Sequence, residues 1–251
     1  MSSTFKADTN KKLVVGRGAI VILASVLAGT TAIPLHPSYA VTLGPPQHIV
    51  GFPEDAEPPQ ILASRKNVYI IWHERPLNDL QADVFISRST NRGQNFGLGT
   101  NLSNTVDSIS ASEEIAASRR NVYVVWSEAT TDIFFTRSTD EGASFEPAKK
   151  LSVTAGADVP RIAASGKNVY VAWQADVGGF PDIFFTQSSD GGSTFDPEIN
   201  ISNTVDLESE FRDAGLDQIA VSGRNVIVTW REQTAGTAIN MAFEVFFVEG
   251  N

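Results

Sequence analysis

A pattern with a period of about 50 residues runs through the chain after about residue 45, and it restricts the possible folds more than any other feature. Its most regular piece joins Asn-Val to a tryptophan and occurs at 67–72, 121–126, 168–173 and 225–230. A second apolar piece follows each copy, at 83–87, 132–136, 182–186 and 244–248. Strand-like runs repeated at this period are typical of β-propellers and related arrays. We therefore predict an all-β chain.

Each repeat is long enough to form one four-stranded antiparallel blade of a β-propeller. The first strands are predicted at 61–64, 115–118, 162–165 and 219–222, and the two recurring apolar pieces supply the second and third strands. The fourth strands are predicted at 101–103, 150–152 and 200–202. The second and third pieces are mostly continuously apolar, which favours sheets that are buried on both faces, as stacked blades are.

The two ends of the chain complement each other in this pattern. The last repeat ends at 249–251 without a fourth strand, and residues 46–50 occupy the place where a fourth strand belongs. We therefore predict four blades in one ring that the N-terminal strand closes, which would remove the exposed sheet edges. An open array or a dimeric ring is the alternative.

A polar loop follows the third strand in three of the repeats and reads S-x-D-x-G-x-x-F, with Asn in place of Asp in the first copy. Its residues are Ser89, Asn91, Gly93 and Phe96, then Ser138, Asp140, Gly142 and Phe145, then Ser188, Asp190, Gly192 and Phe195. An Asp or Asn side chain accepts backbone N–H groups of its own turn, and glycine adopts a positive φ without strain. We therefore expect a structural role, in which the loop closes a hairpin and returns its aromatic residue to the apolar interior of the blade.

These loops resemble the Asp-box, or BNR repeat, of the sialidase family. The resemblance covers most of residues 41–251 and implies a sialidase-like β-propeller, although sialidases have six blades. It also implies exo-α-sialidase or related glycoside hydrolase activity, with three arginines on the substrate carboxylate, a tyrosine nucleophile supported by a glutamate, and an aspartate acid/base. Arg161, Arg212 and Arg231 are the candidates for the arginines, because a guanidinium pairs bidentately with a carboxylate.

The tyrosines argue against that chemistry. Outside the first 40 residues they are Tyr69, Tyr123 and Tyr170, and all three occupy the same place in the second strand of successive repeats. A residue that is present in copy after copy is expected to serve packing, whereas a nucleophile would be unique. No tyrosine is then left for a sialidase-type nucleophile.

The loops divide between two rims of the predicted propeller. The turns between first and second strands are short and basic, and the S-x-D-x-G-x-x-F loops share their rim, whereas the opposite rim carries longer acidic loops. Binding residues are expected on the long, varied loops. The candidates are Glu74, Glu128, Glu232, Phe180 and Phe211. Their expected partner is a glycan or an extracellular protein.

The first 40 residues differ in kind from the rest. Lys6, Lys11, Lys12 and Arg17 precede an apolar run at 19–28, and 38–40 reads as a small-x-small cleavage site. We predict a secretory signal peptide at 1–40, with an uncleaved membrane anchor as the alternative, and a single Asp-box β-propeller domain at 41–251. The protein is then secreted or held at the cell surface.

Composition narrows the partners further. The net charge is −10, and loss of residues 1–40, which hold four Lys/Arg and one acid, would make it −13, so nucleic acid is not an expected partner. No membrane contact is expected beyond the leader segment, and the absence of cysteine excludes disulfides. No cofactor or metal site is expected. Calcium would suit the acidic loops, but their acids follow no EF-hand spacing.

Together these features favour an exported, non-catalytic module that binds a glycan or a protein at the cell surface through the long-loop rim. An exo-α-sialidase or related glycoside hydrolase is the alternative.

Overall fold

The structure, a computed structural model, describes residues 58–75, 81–106, 108–179, 181–202, 215–223, 225–233 and 241–249. Its strands form four antiparallel sheets, which we call blades 1 to 4 in chain order. Blade 1 contains β1 (Gln60–Ser64), β2 (Asn67–Glu74), β3 (Asp83–Ser89) and β4 (Thr100–Asn101), and blade 2 contains β5 (Ser110–Ser118), β6 (Asn121–Glu128), β7 (Asp132–Ser138) and β8 (Lys149–Lys150). Blade 3 contains β9 (Asp158–Ser165), β10 (Asn168–Asp176), β11 (Pro181–Ser188) and β12 (Ile199–Asn200), and blade 4 contains β13 (Gly215–Ser222), β14 (Asn225–Gln233) and β15 (Met241–Glu249).

Each strand pairs antiparallel with the next one along the chain, so every blade is a simple meander. The prediction of an all-β chain with four-stranded antiparallel sheets is confirmed for blades 1 to 3, and blade 4 shows three strands among the described residues. The predicted closing strand at 46–50 lies outside the described residues, so the ring closure and the count of four blades stay predictions. The described residues include no helix with the length and apolar character that crossing a membrane requires.

The fourth strands are shorter than predicted and begin one residue earlier. Each has only two residues, and the serine expected at its end leaves the ladder. The hydroxyl oxygens of these serines instead accept hydrogen bonds from backbone N–H groups of the third strands. The pairs are Val84 N to Ser103 Oγ at 3.0 Å, Ile133 N to Ser152 Oγ at 2.9 Å and Ile183 N to Ser202 Oγ at 2.9 Å. A side chain thus replaces the backbone bond that would have extended the strand.

The first strands of blades 2 to 4 begin earlier than predicted because they contain irregularities that interrupt the apolar pattern. The register shifts between Ala111 and Glu114 in β5, and similar shifts occur in β9 and β13. Ser112 and Val159, which lie at two of these shifts, have φ angles of 54° and 51°. Such bulges bend a strand and re-aim the side chains beside them.

The apolar core lies between blades rather than within them. Tyr69 and Ile71 of β2 pack in one cluster with Val122, Val124 and Trp126 of β6. The alternate residues of β6, which include Tyr123 and Val125, pack in the next cluster with blade 3, and a third cluster joins blades 3 and 4. Both faces of a second strand are therefore buried, which explains why these strands read as continuous apolar runs.

The three S-x-D-x-G-x-x-F loops share one hydrogen-bond pattern, and we call them the box loops. In the second loop, Ser138 Oγ donates to Asp140 Oδ1 at 2.7 Å and accepts from the Gly142 N–H at 2.8 Å, while Asp140 Oδ1 accepts from the Ser144 N–H at 2.9 Å. Equivalent bonds form in the loops around Asn91 and Asp190. The glycines adopt φ of 79° to 82°. These contacts support the structural role expected of the loops.

Each of the last two box loops is also held by the blade that precedes it. The Glu141 carbonyl oxygen accepts hydrogen bonds from Tyr69 Oη and Arg88 Nη1 of blade 1, both at 2.8 Å. One blade later, Arg137 Nη1 donates to the Gly191 carbonyl oxygen at 2.8 Å. The aromatic residues follow the same rule, because Phe195 makes an edge contact with Phe135 of blade 2 at 4.9 Å between ring centroids. The loops therefore join neighbouring blades, which goes beyond the hairpin closure expected of them.

Candidate functional site

One position of the repeat carries polar side chains on neighbouring first strands. The residue directly before the repeated isoleucine is Gln60 in β1, Glu114 in β5 and Arg161 in β9. These strands contact one another, β1 with β5 and β5 with β9. Each of these strands starts at the long-loop rim, and the position lies no further along than the middle of the strand. The fold thus gathers on one surface three residues that are far apart in sequence.

Arg161 and Glu114 form an ion pair across the contact between blades 2 and 3. Arg161 Nη1 lies 3.5 Å from Glu114 Oε1, and each side chain is about one-fifth exposed, at 22% and 21%. Burial raises the pKa of the Glu114 carboxyl, while Arg161 and a hydrogen bond from Gln60 oppose the rise. The carboxyl of Glu114 therefore takes up a proton more readily than an exposed glutamate, although it lies beside a cation.

His73 and Glu113 form a second pair across the contact between blades 1 and 2. His73 Nδ1 lies 2.7 Å from Glu113 Oε2, and the Glu113 side chain is only 4% exposed. The imidazole donates to the carboxylate when Nδ1 carries a proton, and the contact is an ion pair when the ring is charged. We call Gln60, His73, Glu113, Glu114 and Arg161 the inner-strand cluster.

The bulges of β5 and β9 lie next to residues of the inner-strand cluster. In β5 the shift between Ala111 and Glu114 adds one residue to the strand next to the consecutive Glu113 and Glu114. These two residues supply carboxylates to two different pairs. In β9 the bulge places Val159 at a φ of 51°, two residues before Arg161. A β-branched residue at positive φ is strained by about 1–3 kcal/mol, and such strain concentrates at functional sites.

The glutamates expected to bind a ligand on the long-loop rim are placed differently. Glu74 and Glu128 lie inside the second strands and are 7% and 8% exposed. Glu74 Oε2 accepts a hydrogen bond from Trp72 Nε1 at 3.0 Å, and Glu128 Oε2 accepts from Trp126 Nε1 at 3.2 Å. Both glutamates, expected in the long loops, are therefore the buried last residues of strands. The binding role of Glu74 and Glu128 stays a prediction.

The third repeat lacks this arrangement because Ala175 stands where a glutamate would be. The indole Nε1 of Trp173 is buried there without a hydrogen-bond partner among the described residues. The difference sets blade 3 apart from blades 1 and 2 directly beneath the long-loop rim.

The remaining predicted site residues fall outside the described geometry. Phe180, Phe211 and Arg212 lie outside the described residues. Arg231 and Glu232 lie near the end of β14, and the structure describes only their backbone. Only Arg161 of the three candidate arginines therefore has a described environment. Clustering of the three arginines stays a prediction.

The described tyrosines do not belong to the inner-strand cluster. Tyr69 Oη donates to a carbonyl oxygen of the next box loop, and Tyr123 Oη accepts from Asn121 Nδ2 at 2.9 Å. Burial raises the pKa of both phenols, which makes their phenolate forms less accessible. Both lie near the short-turn rim, at the opposite end of the blades from the cluster.

The side chains considered as metal ligands are those of His, Cys, Asp and Glu. Within the described ranges, no three His, Cys, Asp or Glu side chains lie close enough together to hold a metal ion. Calcium in the long acidic loops stays an untested prediction.

Comparison with known proteins shows likeness at the level of fold. No family model and no curated protein matches the chain. Among solved structures, the Hadza microbial sialidase Hz136 superposes with a TM-score of 0.52 at 14% identity, over 77% of this chain and 44% of that one. A Trypanosoma rangeli sialidase in complex with sialic acid gives 0.47 at 13% identity, over 70% of this chain and 34% of that one.

An exo-β-1,3-galactanase from Clostridium thermocellum, 1,3Gal43A, also gives a TM-score of 0.47, at 14% identity and over 76% of this chain and 48% of that one. The chain thus spans less than half the length of each of these three structures. Its structural neighbours are sialidases and other carbohydrate-active β-propeller enzymes, at low sequence identity.

The inner-strand cluster was only partly predictable. The sialidase resemblance singles out Arg161, but it does not predict the pair that Arg161 forms with Glu114 or the pair of His73 with Glu113. One signal does exist in the sequence. The position before the repeated isoleucine is polar in all four copies, as Gln60, Glu114, Arg161 and Gln218, although the residues that directly follow it in each strand are apolar. A polar position inside a repeated apolar strand marks a role other than packing.

Proposed function

We propose that the protein is an exported, non-catalytic module that binds a glycan at the cell surface through the long-loop rim of a sialidase-like β-propeller. The inner-strand cluster is the proposed contact surface, with an extracellular protein as the alternative partner class. Calcium would act, if it binds, through the acidic loops of the same rim.

The observation that carries this proposal is the polar position on adjacent first strands. Gln60 offers an amide, Glu114 a carboxylate and Arg161 a guanidinium, all on strands that contact one another. Sugar hydroxyls both donate and accept hydrogen bonds, and a mixed set of convergent polar groups on a rigid scaffold suits them. The fold likeness to a sialidase agrees with a carbohydrate ligand.

A binding role is favoured over catalysis because the groups that chemistry would need are otherwise engaged. Glu113 is paired with His73, and Glu114 is paired with Arg161. Tyr69 Oη donates to a backbone carbonyl oxygen and Tyr123 Oη accepts from a side-chain amide, both at the other end of the blades. These contacts favour binding over a sialidase-type mechanism that uses Tyr69 or Tyr123 as its nucleophile.

Glycoside hydrolysis, including exo-α-sialidase activity, is the second candidate, and Glu114 is the observation that favours it. Its carboxyl has a raised pKa and stands next in sequence to Glu113. Glycosidases use two neighbouring carboxyl groups, one as general acid and the other as nucleophile or base.

The two candidates are separated by one set of measurements on the purified full-length chain. Binding is measured calorimetrically with a panel of neutral and acidic oligosaccharides, with and without calcium. Turnover is measured as release of a fluorophore from a generic α-sialoside. Saturable binding without turnover supports the module, whereas turnover supports the hydrolase.

Two variants locate the activity. Arg161→Met removes the guanidinium of the cluster, and Arg120→Met removes an exposed arginine of the short-turn rim as a matched control. We expect Arg161→Met to weaken glycan binding at least about tenfold, since a charged hydrogen bond is lost, and Arg120→Met to leave it unchanged. Equal binding by both variants would place the ligand elsewhere.

A further inference from the structure

A cavity of about 430 Å³ opens on the short-turn rim, between the first and second box loops. Its walls come from blade 1 and from the tip of the loop that follows in blade 2. Among its eleven lining residues are Arg88, Asn91, Asn95, Phe96, Gly97 and Thr100. This surface is separate from the inner-strand cluster, because it lies at the opposite rim.

The same place one blade later is filled by larger side chains. Lys149 Nζ donates to the Gly192 and Ser193 carbonyl oxygens at 2.6 and 2.8 Å, and it lies 5.2 Å from the ring centroids of Phe135 and Phe195. Arg137 completes this filling, because its Nε donates to Glu146 Oε2 at 2.8 Å.

The strand registers identify the counterparts of these residues in blade 1. Ile86 pairs with Thr100 as Phe135 pairs with Lys149, so a threonine replaces the lysine and an isoleucine replaces the phenylalanine. The Gly97 N–H donates to the Arg88 carbonyl as the Glu146 N–H donates to that of Arg137, so a glycine replaces the glutamate. Each replacement is from large to small, and together they account for the cavity.

The cavity keeps its arginine but loses the acceptors that serve that arginine in the next blade. Arg137 has the Glu146 carboxylate and the Ser193 hydroxyl, at 2.8 and 2.6 Å. Arg88 has Gly97 and Ala143 at the equivalent places, and no carboxylate in the described part of the chain forms an ion pair with it.

The charge of the residues that line the cavity also favours an anionic ligand. Arg88 is the only charged side chain among the eleven lining residues, and the first box loop carries Asn91 where the others carry an aspartate. The cavity therefore has a net positive lining in a protein with a net charge of −10. An anion that replaces the missing Glu146 carboxylate would restore the balance found between blades 2 and 3.

We propose that this cavity binds an acidic sugar residue, whose carboxylate pairs with Arg88 in the place that Glu146 occupies beside Arg137. A guanidinium pairs with a carboxylate in a planar, bidentate geometry. The amides of Asn91 and Asn95 and the hydroxyls of Thr90 and Thr100 suit sugar hydroxyls, and Phe96 and Leu98 offer apolar surface to the ring. A cavity of this volume falls within the range of small-ligand sites, roughly 300–1,000 Å³.

The test is a ligand-observed NMR titration of the purified full-length chain with D-glucuronate as the probe. D-Glucose, which lacks the carboxylate, and acetate, which lacks the sugar ring, are the comparison ligands. The key variant is Gly97→Glu, which supplies to Arg88 the carboxylate that Arg137 already has. A Cβ at Gly97 would lie at an ordinary 3.6 Å from the Arg88 carbonyl oxygen, so the variant is expected to fold. Thr139→Glu is the control, because it adds the same charge at an exposed site outside the cavity.

We expect saturable binding of glucuronate, binding of glucose and acetate weaker by at least about tenfold, and loss of glucuronate binding in Gly97→Glu but not in Thr139→Glu. Arg88→Gln should also abolish binding, whereas Arg120→Met, which removes an exposed arginine of the same rim outside the cavity, should leave it intact. No saturable signal, or unchanged binding in Gly97→Glu, would overturn the proposal. Acetate that binds as well as glucuronate would overturn the assignment to a sugar.

Discussion

Gly192 approaches Phe135 of the preceding blade so closely that a Cβ atom at residue 192 would lie 2.7 Å from Cζ of the ring. The glycine of the box loop therefore has two reasons to lack a side chain: a φ of 80° and a neighbouring blade in direct contact. Gly142 shows the same relationship with Tyr69, at 2.8 Å to Cε1. The repeated glycine records packing between blades as well as the shape of a turn.

Gly192→Ala is accordingly expected to destabilise the protein by about 2 kcal/mol or more, because strain at positive φ adds to overpacking against a fully buried ring. Gly166→Ala is the matched control, since Gly166 has a φ of 64° but no atom within 4 Å of its added Cβ. The measurement is the urea unfolding midpoint of each variant. Equal losses for the two variants would mean that the contact with Phe135 carries no weight.

Tyr69→Phe should cost about 1 kcal/mol of unfolding free energy, the usual net value of one hydrogen bond. Its hydroxyl shares the Glu141 carbonyl oxygen with Arg88 Nη1. The two donors are therefore expected to be coupled, which a double-mutant cycle with Arg88→Gln measures in urea. Strictly additive losses would show that the two bonds stabilise the loop independently.

Asp140 predicts a sensitivity to acid. Hydrogen bonds from Ser144 and Ser138, together with the Ser144 and Ala143 N–H groups, hold the pKa of its carboxyl well below the usual range. The stabilisation is complete above the unfolded pKa, about 3.9, and is lost as pH falls below it. Asp140→Asn does not titrate, so its stability should fall less between about pH 4 and pH 2. Parallel stability curves for the two proteins would contradict this.

Glu114 predicts the opposite dependence on pH. Burial raises the pKa of its carboxyl, so the folded state binds a proton more tightly than the unfolded state, whose pKa is about 4.3. Stability should therefore decrease as pH rises from about 4.3 through the folded pKa, and Glu114→Gln should remove that decrease.

Arg161→Met tests the same pKa from the other side of the ion pair, because Arg161 lowers the pKa of Glu114. Its removal should raise that pKa further and extend the decrease in stability to higher pH. Urea midpoints between pH 4 and pH 7 report both variants, with Glu146→Gln on the other rim as a control that keeps the decrease. A pH profile unchanged by Glu114→Gln would exclude this carboxyl as its source.

The repeated elements were predictable from the sequence because four copies of one pattern define them. The second strands start at the predicted Asn67, Asn121, Asn168 and Asn225, and their extension past tryptophan is a matter of two or three residues. Contacts between repeats were not predictable, since Tyr69 and Glu141 are 72 residues apart and nothing local to either one specifies the other. The inner-strand cluster was hard to predict for a further reason. The β5 bulge next to Glu113 and Glu114 leaves no mark in the apolar pattern of the sequence.

The direction of the ties between blades has a consequence for biosynthesis. Tyr69 and Arg88 hold the second box loop, and Arg137 and Lys149 hold the third, so in both cases the earlier part of the chain supplies the donors. A ribosome delivers the chain in that same order. The second and third box loops are therefore synthesised after the groups that hold them. Blades 1 and 2 can form first, and each then offers donors to the loop of the blade that follows.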